Sequence, residues 1–198
     1  IERPASTQRI QLALAETEIY GGIMRGSFAL DVSEGMRAMS IEGRAVGAQI
    51  GKLLGAGEVQ AMPALSGRST SEVSLFSVGG TPQELMQALT GRVEVIVQDG
   101  DLGISELVKG LVPEAGKVLP FKTLNGTFNI AQGVAVCEDL ILLDGKLSLV
   151  GQGQIDLANW TIDLDVGRLG LEGDSRIFKK YHVSGPASDM KVKPINGS

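Results

Sequence analysis

The sequence predicts a mainly β protein: a curved antiparallel sheet of meander type with a few short helices packed on it. Period-two alternation fills most of the chain, the connections are short and glycine-rich, and only three short stretches carry a helical period. QLALAETEIY, GIMRGSFALDV, MRAMSIEGRAV, SEVSLFSV, GRVEVIVQDG, LNGTFNI, GVAVCEDLILL, KLSLVGQGQIDL, WTIDLDV and YHVSG read as strands. Connections this short join antiparallel neighbours, because a parallel crossover needs a dozen or more residues.

The helices are short and bounded. Thr81-Pro82-Gln83-Glu84 forms a capping box with proline at the first helical position, and Leu85, Met86 and Leu89 share a face before Gly91, which predicts a helix over 82–90. Ile104, Leu107, Val108, Leu111 and Val112 keep i, i+3, i+4 spacing before Pro113 and predict a second over 104–112. Ile50, Leu53 and Leu54 suggest a weaker one ending near Gly55.

Composition narrows the function classes. With 198 residues and 43% hydrophobic content the chain can bury a core, so a folded chain is expected. A formal charge of -5 disfavours nucleic acid, whose phosphates an acidic surface repels. No apolar run reaches membrane-span length and no signal peptide is legible, while the start at Ile1 predicts a fragment or processed product. The single Cys137 rules out an intramolecular disulfide and a multi-cysteine zinc site, and its strand pattern predicts a buried, inert thiol.

Motifs for chemistry fail one by one, so no catalytic residue, metal site or cofactor is assigned. In GQGQIDL, Asp156 stands where a dinucleotide loop needs a small residue, and a strand follows where that loop needs a helix. His182, the only histidine, has no local nucleophile or orienting carboxylate and reads as a surface strand residue. Ser188-Asp189-Met190-Lys191 matches S-x-x-K without its companion motifs. Asp99, Asp101 and Glu106 lack EF-hand spacing. Asp163 and Asp165 share a face but read as the solvated side of their strand. The sequons at Asn125 and Asn159 would matter only in a secreted eukaryotic protein.

What remains is an apolar face. Phe128 and Ile130, then Val134, Val136, Leu140 and Leu142, then Leu147, Leu149, Ile155 and Leu157, each keep one parity within their strand. Ile162 and Leu164 continue the pattern on the next strand. Gly151 and Gly153 fall on the same parity in mid-strand, where they would permit curvature and leave a notch. A loose recurrence, ALTGRVEVIVQDGDL, TLNGTFNIAQGVAV and SLVGQGQIDLANWTI, indicates one hairpin unit reused without a strict period. Such a face must be covered by the other half of the sheet, as in a sandwich, or stay partly open as a groove for acyl chains.

The ordered set Phe121, Leu124, Gly126, Thr127, Phe128, Ile130, Gly133, Val134, Asp139, Leu140, Leu142, Leu149, Gly151, Gly153, Ile155, Asp156 and Leu157 resembles the C-terminal region of the AsmA family. Gly80 to Gly100, with Leu85, Leu89 and Gly91, is similar to the family's upstream pattern, and VSGPASDMKVKP to its closing strand, with Met190 where a proline is usual. The likeness covers residues 71–196, and residues 1–70 carry only the same style in strands and one short helix, continuous with the rest as one domain. The resemblance implies a periplasmic segment of a protein anchored in the inner membrane by an absent N-terminal helix, with its sheet curled into a taco-like trough. It also implies a non-enzymatic role in moving phospholipid between membranes and in outer-membrane homeostasis. The lipid groove would be lined by Phe128, Ile130, Val134, Val136, Leu140, Leu142, Leu147, Leu149, Gly151, Gly153, Ile155, Leu157, Ile162 and Leu164. The alternative is a scaffold whose sheet edge recruits another envelope protein by strand addition. A carbohydrate-binding sandwich would want exposed aromatics, which are only 4% of the chain.

Overall fold

The computed structural model describes residues 8–33, 35–55, 65–169, 177–187 and 189–195. Its strands are β1 (Gln8–Ile19), β2 (Gly22–Ser33), β3 (Met36–Gln49), β4 (Arg68–Gly79), β5 (Thr90–Gly103), β6 (Val118–Ala131), β7 (Val134–Leu143), β8 (Ser148–Asp156), β9 (Thr161–Leu169), β10 (Ile177–Pro186) and β11 (Lys191–Pro194). They form one antiparallel sheet in chain order, open between β1 and β11, and strand accounts for 72% of the structure. The mainly β meander holds, with β11 as one strand more than alternation alone identified. β4 crosses residue 70 and is paired with both β3 and β5 there, across a one-residue bulge at Gly47 of β3, so the sheet does not break.

Two of the turns show how consecutive strands are joined. Tyr20-Gly21 has φ of 48° and 80°, and Gln132-Gly133 has 50° and 75°. Both are two-residue hairpins with positive φ at both central residues, the turn whose twist suits paired strands.

Three short helices interrupt the meander: α1 (Ile50–Gly55), α2 (Pro82–Gln87) and α3 (Glu106–Leu111). Thr81 caps α2 as its sequence predicts, its Oγ1 accepting the Glu84 N–H at 3.2 Å. Glu84 reaches back one residue further than a standard box, accepting the Gly80 N–H at 2.7 Å. The helix ends at Gln87 rather than at 90, because Thr90 and Gly91 are already paired with Phe76 and Leu75 of β4. Leu89 is thereby turned into a buried cluster instead of onto a helix face. α3 starts after Ser105, whose Oγ accepts the Val108 N–H at 3.3 Å, so Ile104 lies outside it and Val112 is its C-cap.

One irregularity corrects the parity of β7. Cys137 pairs with Gly153 and Leu140 with Gly151, so three steps on β7 oppose two on β8. β6 shows the same excess on the other side, and Glu138-Asp139 is therefore a bulge. Before the bulge Ala135 and Cys137 face the apolar side, paired with Ile155 and Gly153; after it, Leu140 and Leu142 do. Val134 and Val136 pair with Asp156 and Gln154 on the opposite face, and Val136 is 38% exposed. Both therefore leave the set of apolar-face residues. VAVC is apolar at both parities, so periodicity had nothing to distinguish them.

The Asp139 carboxylate holds the bulge, accepting the Thr127 N–H at 2.7 Å and lying 3.4 Å from the Cys137 sulfur. Burial works against its charge, but these bonds prevail and its pKa is lowered. Asp139→Ala should cost about 1 kcal/mol by freeing the Thr127 amide, read as a shifted urea midpoint with unchanged slope.

Candidate apolar binding face

Residues paired across antiparallel strands share a face, so the register alone assembles the surface. From Val93 it runs through Phe128, Cys137, Gly153 and Leu164 to Val183 and Val192. In the other direction it runs through Val73, Gly43 and Gly26 to Leu14. One apolar face thus crosses all eleven strands.

Its carboxy-terminal half is covered. Val108, Leu111 and Val112 of α3 and its cap form one cluster with Val97, Leu119, Phe121, Leu142, Leu147 and Leu149, and with half-buried Leu124, Val166 and Tyr181. Gly110 lets α3 approach β10, since a Cβ there would lie 2.7 Å from the Tyr181 ring. Towards the other strand ends, Leu89 packs on Ile130 and Ala135, with Phe128, Ile155 and Leu157 alongside. Six of the fourteen residues expected to line a groove are therefore buried: Leu142, Leu147 and Leu149 under α3, Ile130 beside Leu89, Gly151, and Ile162 at 8% exposure.

Among the described residues the amino-terminal half is less covered, Met39 and Leu75 packing at the edge of the Leu89 cluster. Ile10, Leu12 and Leu14 of β1 are 52%, 57% and 44% exposed. Phe28, Leu30, Met39, Ile41, Val73 and Leu75, on the same face of β2, β3 and β4, are only half-buried. Arg37, at the start of β3, is on this face and donates to the Gly80 carbonyl, while the pairs Arg9–Asp31 at 3.5 Å and Arg44–Glu72 at 3.3 Å bridge neighbouring strands on the other face. The alternation that marks these positions is plain in LALAE and SFALDV. The family likeness drew attention to the later strands, and parity alone does not say which part of a face a helix will cover.

The expected notch at Gly151 is filled. A Cβ at Gly151 would lie 3.0 Å from Leu140 Cδ2, and one at Gly126 would lie 3.1 Å from Leu140 Cδ1, so one leucine occupies the space left by two glycines. Gly153 has a different reason to be glycine. Its φ is 149°, and a Cβ there would lie 2.2 Å from the Asp163 carbonyl oxygen and 2.8 Å from the Leu164 Cα. The backbones approach too closely for any side chain.

On the opposite face the sheet supplies carboxylates that no local motif showed. His182 Nδ1 lies 3.0 Å from Asp165 and its Nε2 3.7 Å from Asp163, while Lys180 binds Asp165 at 2.8 Å. Asp165 and Lys180 also line a shallow depression of about 250 Å³ with Glu138, Ile141, Val150 and Gln152. Lys180, then His182, hold the Asp165 pKa down. Asp165 consequently adds stability above the ordinary aspartate value of about 3.9, lost as pH falls through its lower folded value. Asp165→Asn should flatten the acid limb of a pH–stability curve in that window. Cys137 is buried, and desolvation pushes its thiol pKa up, in keeping with an inert role. Ser188 of the S-x-x-K match lies outside the described residues.

Among the described residues no cluster of His, Cys, Asp and Glu is arranged to hold a metal, and no helix is long and apolar enough to cross a membrane. No protein-family model matches the chain, and neither does any curated protein or solved structure.

Proposed function

We propose that the protein shields acyl chains of phospholipid on the uncovered part of its apolar face, as a non-enzymatic module of the kind the AsmA resemblance implies. The observation that carries this reading is the apolar surface that the described residues leave exposed on β1 and half-buried across β2 to β4, on the same face that is packed under α3. Apolar burial contributes roughly 25 cal/mol per Å², so an acyl chain on Leu12, Phe28 and Ile41 gains several kcal/mol without a polar contact. Headgroup phosphates would stay in water at the rim. A periplasmic setting, attachment to the inner membrane and a part in outer-membrane homeostasis belong to the same proposal.

Native mass spectrometry of gently purified protein should show adducts of phospholipid mass. Their loss in Ile41→Lys, with the thermal melt kept, supports the reading. Adducts undiminished by that substitution contradict it.

One observation favours a second reading, a scaffold that recruits an envelope protein by strand addition. β11 ends the sheet with Lys191, Lys193 and Pro194, residues that discourage further pairing. β1 carries no lysine or proline and is exposed along nearly its whole length. Proline placed at alternate β1 positions should then abolish partner capture while sparing lipid adducts.

A further inference from the structure

Arg168 stands where the register calls for an apolar side chain. It pairs with Leu149 on one side and Lys179 on the other, so two cations adjoin on the apolar face. Both reach the end of α3: Arg168 donates to the Leu111 carbonyl at 3.3 Å and pairs with Glu114 at 2.8 Å, and Lys179 donates to the Gly110 carbonyl at 3.3 Å. The Arg168 side chain is 23% exposed, that of Glu114 61%. The cation is thus sheltered by the cover, while its carboxylate partner sits at the rim within reach of a competing anion. A six-residue helix is not stable alone in water, so α3 stays in place through Val108 and Leu111 and through these polar ties. Beneath it, Val97, Leu124, Leu142 and Leu149 lie on the same face as the open residues of β1 to β4, joined to them through Val95, Val93 and Val73.

We propose that the segment from Ile104 to Ala115 is a displaceable cover, latched by Glu114 on Arg168 and beside Lys179, and released when a phosphate takes these cations in place of the Glu114 carboxylate. A guanidinium binds phosphate as it binds carboxylate, through paired N–H donors. This inference rests on the acyl-chain reading above. With the cover displaced, its floor and the open half become one apolar track.

The test follows amide exchange in residues 105–115 and photo-crosslinking from Ile41 in the same samples. The probes are phosphatidylglycerol vesicles, inorganic phosphate, and the uncharged detergent dodecyl maltoside. Phosphatidylglycerol should label Ile41 and speed exchange about tenfold or more. Phosphate alone should speed it only a few-fold, and dodecyl maltoside should label Ile41 without speeding it. Glu114→Gln should loosen the segment several-fold with no lipid present. Arg168→Gln should loosen it too but abolish the further response to phosphatidylglycerol. Labelling at Ile41 with unchanged exchange overturns the cover while leaving the acyl-chain reading in place, as does an Arg168→Gln variant that still responds. Equal acceleration by dodecyl maltoside overturns the phosphate trigger. Absence of labelling by either lipid or detergent overturns the acyl-chain reading and the inference with it.

Discussion

Gly153→Val is expected to destabilise the protein by about 3 kcal/mol or more, although valine is the better strand former. A Cβ at this position would lie 2.2 Å from the Asp163 carbonyl oxygen and 2.8 Å from the Leu164 Cα, so the clash is with backbone that belongs to the β8–β9 ladder. Relief requires the two strands to part, which strains the pairing on either side. Gly151→Ala makes the control. Its new methyl would meet the flexible end of Leu140 at 3.0 Å and should cost about 1 kcal/mol. Urea denaturation of the two variants checks both values, and equal midpoints would remove the distinction drawn between the glycines.

Leu149→Lys has the second large effect. Leu149 is 6% exposed in the cluster closed by α3, so a lysine there buries an ammonium with no designed partner. The loss is on the order of 4 kcal/mol, a large share of the 5–15 kcal/mol that holds an ordinary domain together. Poor expression or a lost cooperative melt is the expected result. Ile41→Lys, on the half-buried part of the same face, should keep a cooperative transition at a cost of about 1 kcal/mol. If Leu149→Lys melts like the parent protein, the cluster under α3 is not a closed core.

The contrast between these two positions marks where sequence pattern stops. The register places Ile41 and Leu149 on one face. Periodicity records which side of a strand is apolar, whereas cover depends on where α3 lands after the chain leaves β5. The Thr81 cap was legible because its signal is local, whereas apolar spacing does not mark Ser105 as a cap and predicts the helix after it from Ile104. The bulge at Glu138-Asp139 was not legible either, since its evidence is a pairing offset with two other strands. Val134 and Val136 were misplaced for that reason. The cross-strand partners of His182 escaped notice likewise, because Asp163 and Asp165 reach it only through the β9–β10 register.

The central claim is that the open part of the apolar face holds acyl chains, and a photo-crosslinker moved by one residue along β3 tests it most directly. Ile41 pairs with Phe28 and Leu75 on the apolar face, while Ser40 pairs with Ala29 and Phe76 on the other. With benzoyl-phenylalanine at each position and phospholipid supplied in vesicles, the account predicts strong lipid labelling from 41 and little from 40. Equal labelling from both, or labelling from 40 alone, would contradict it.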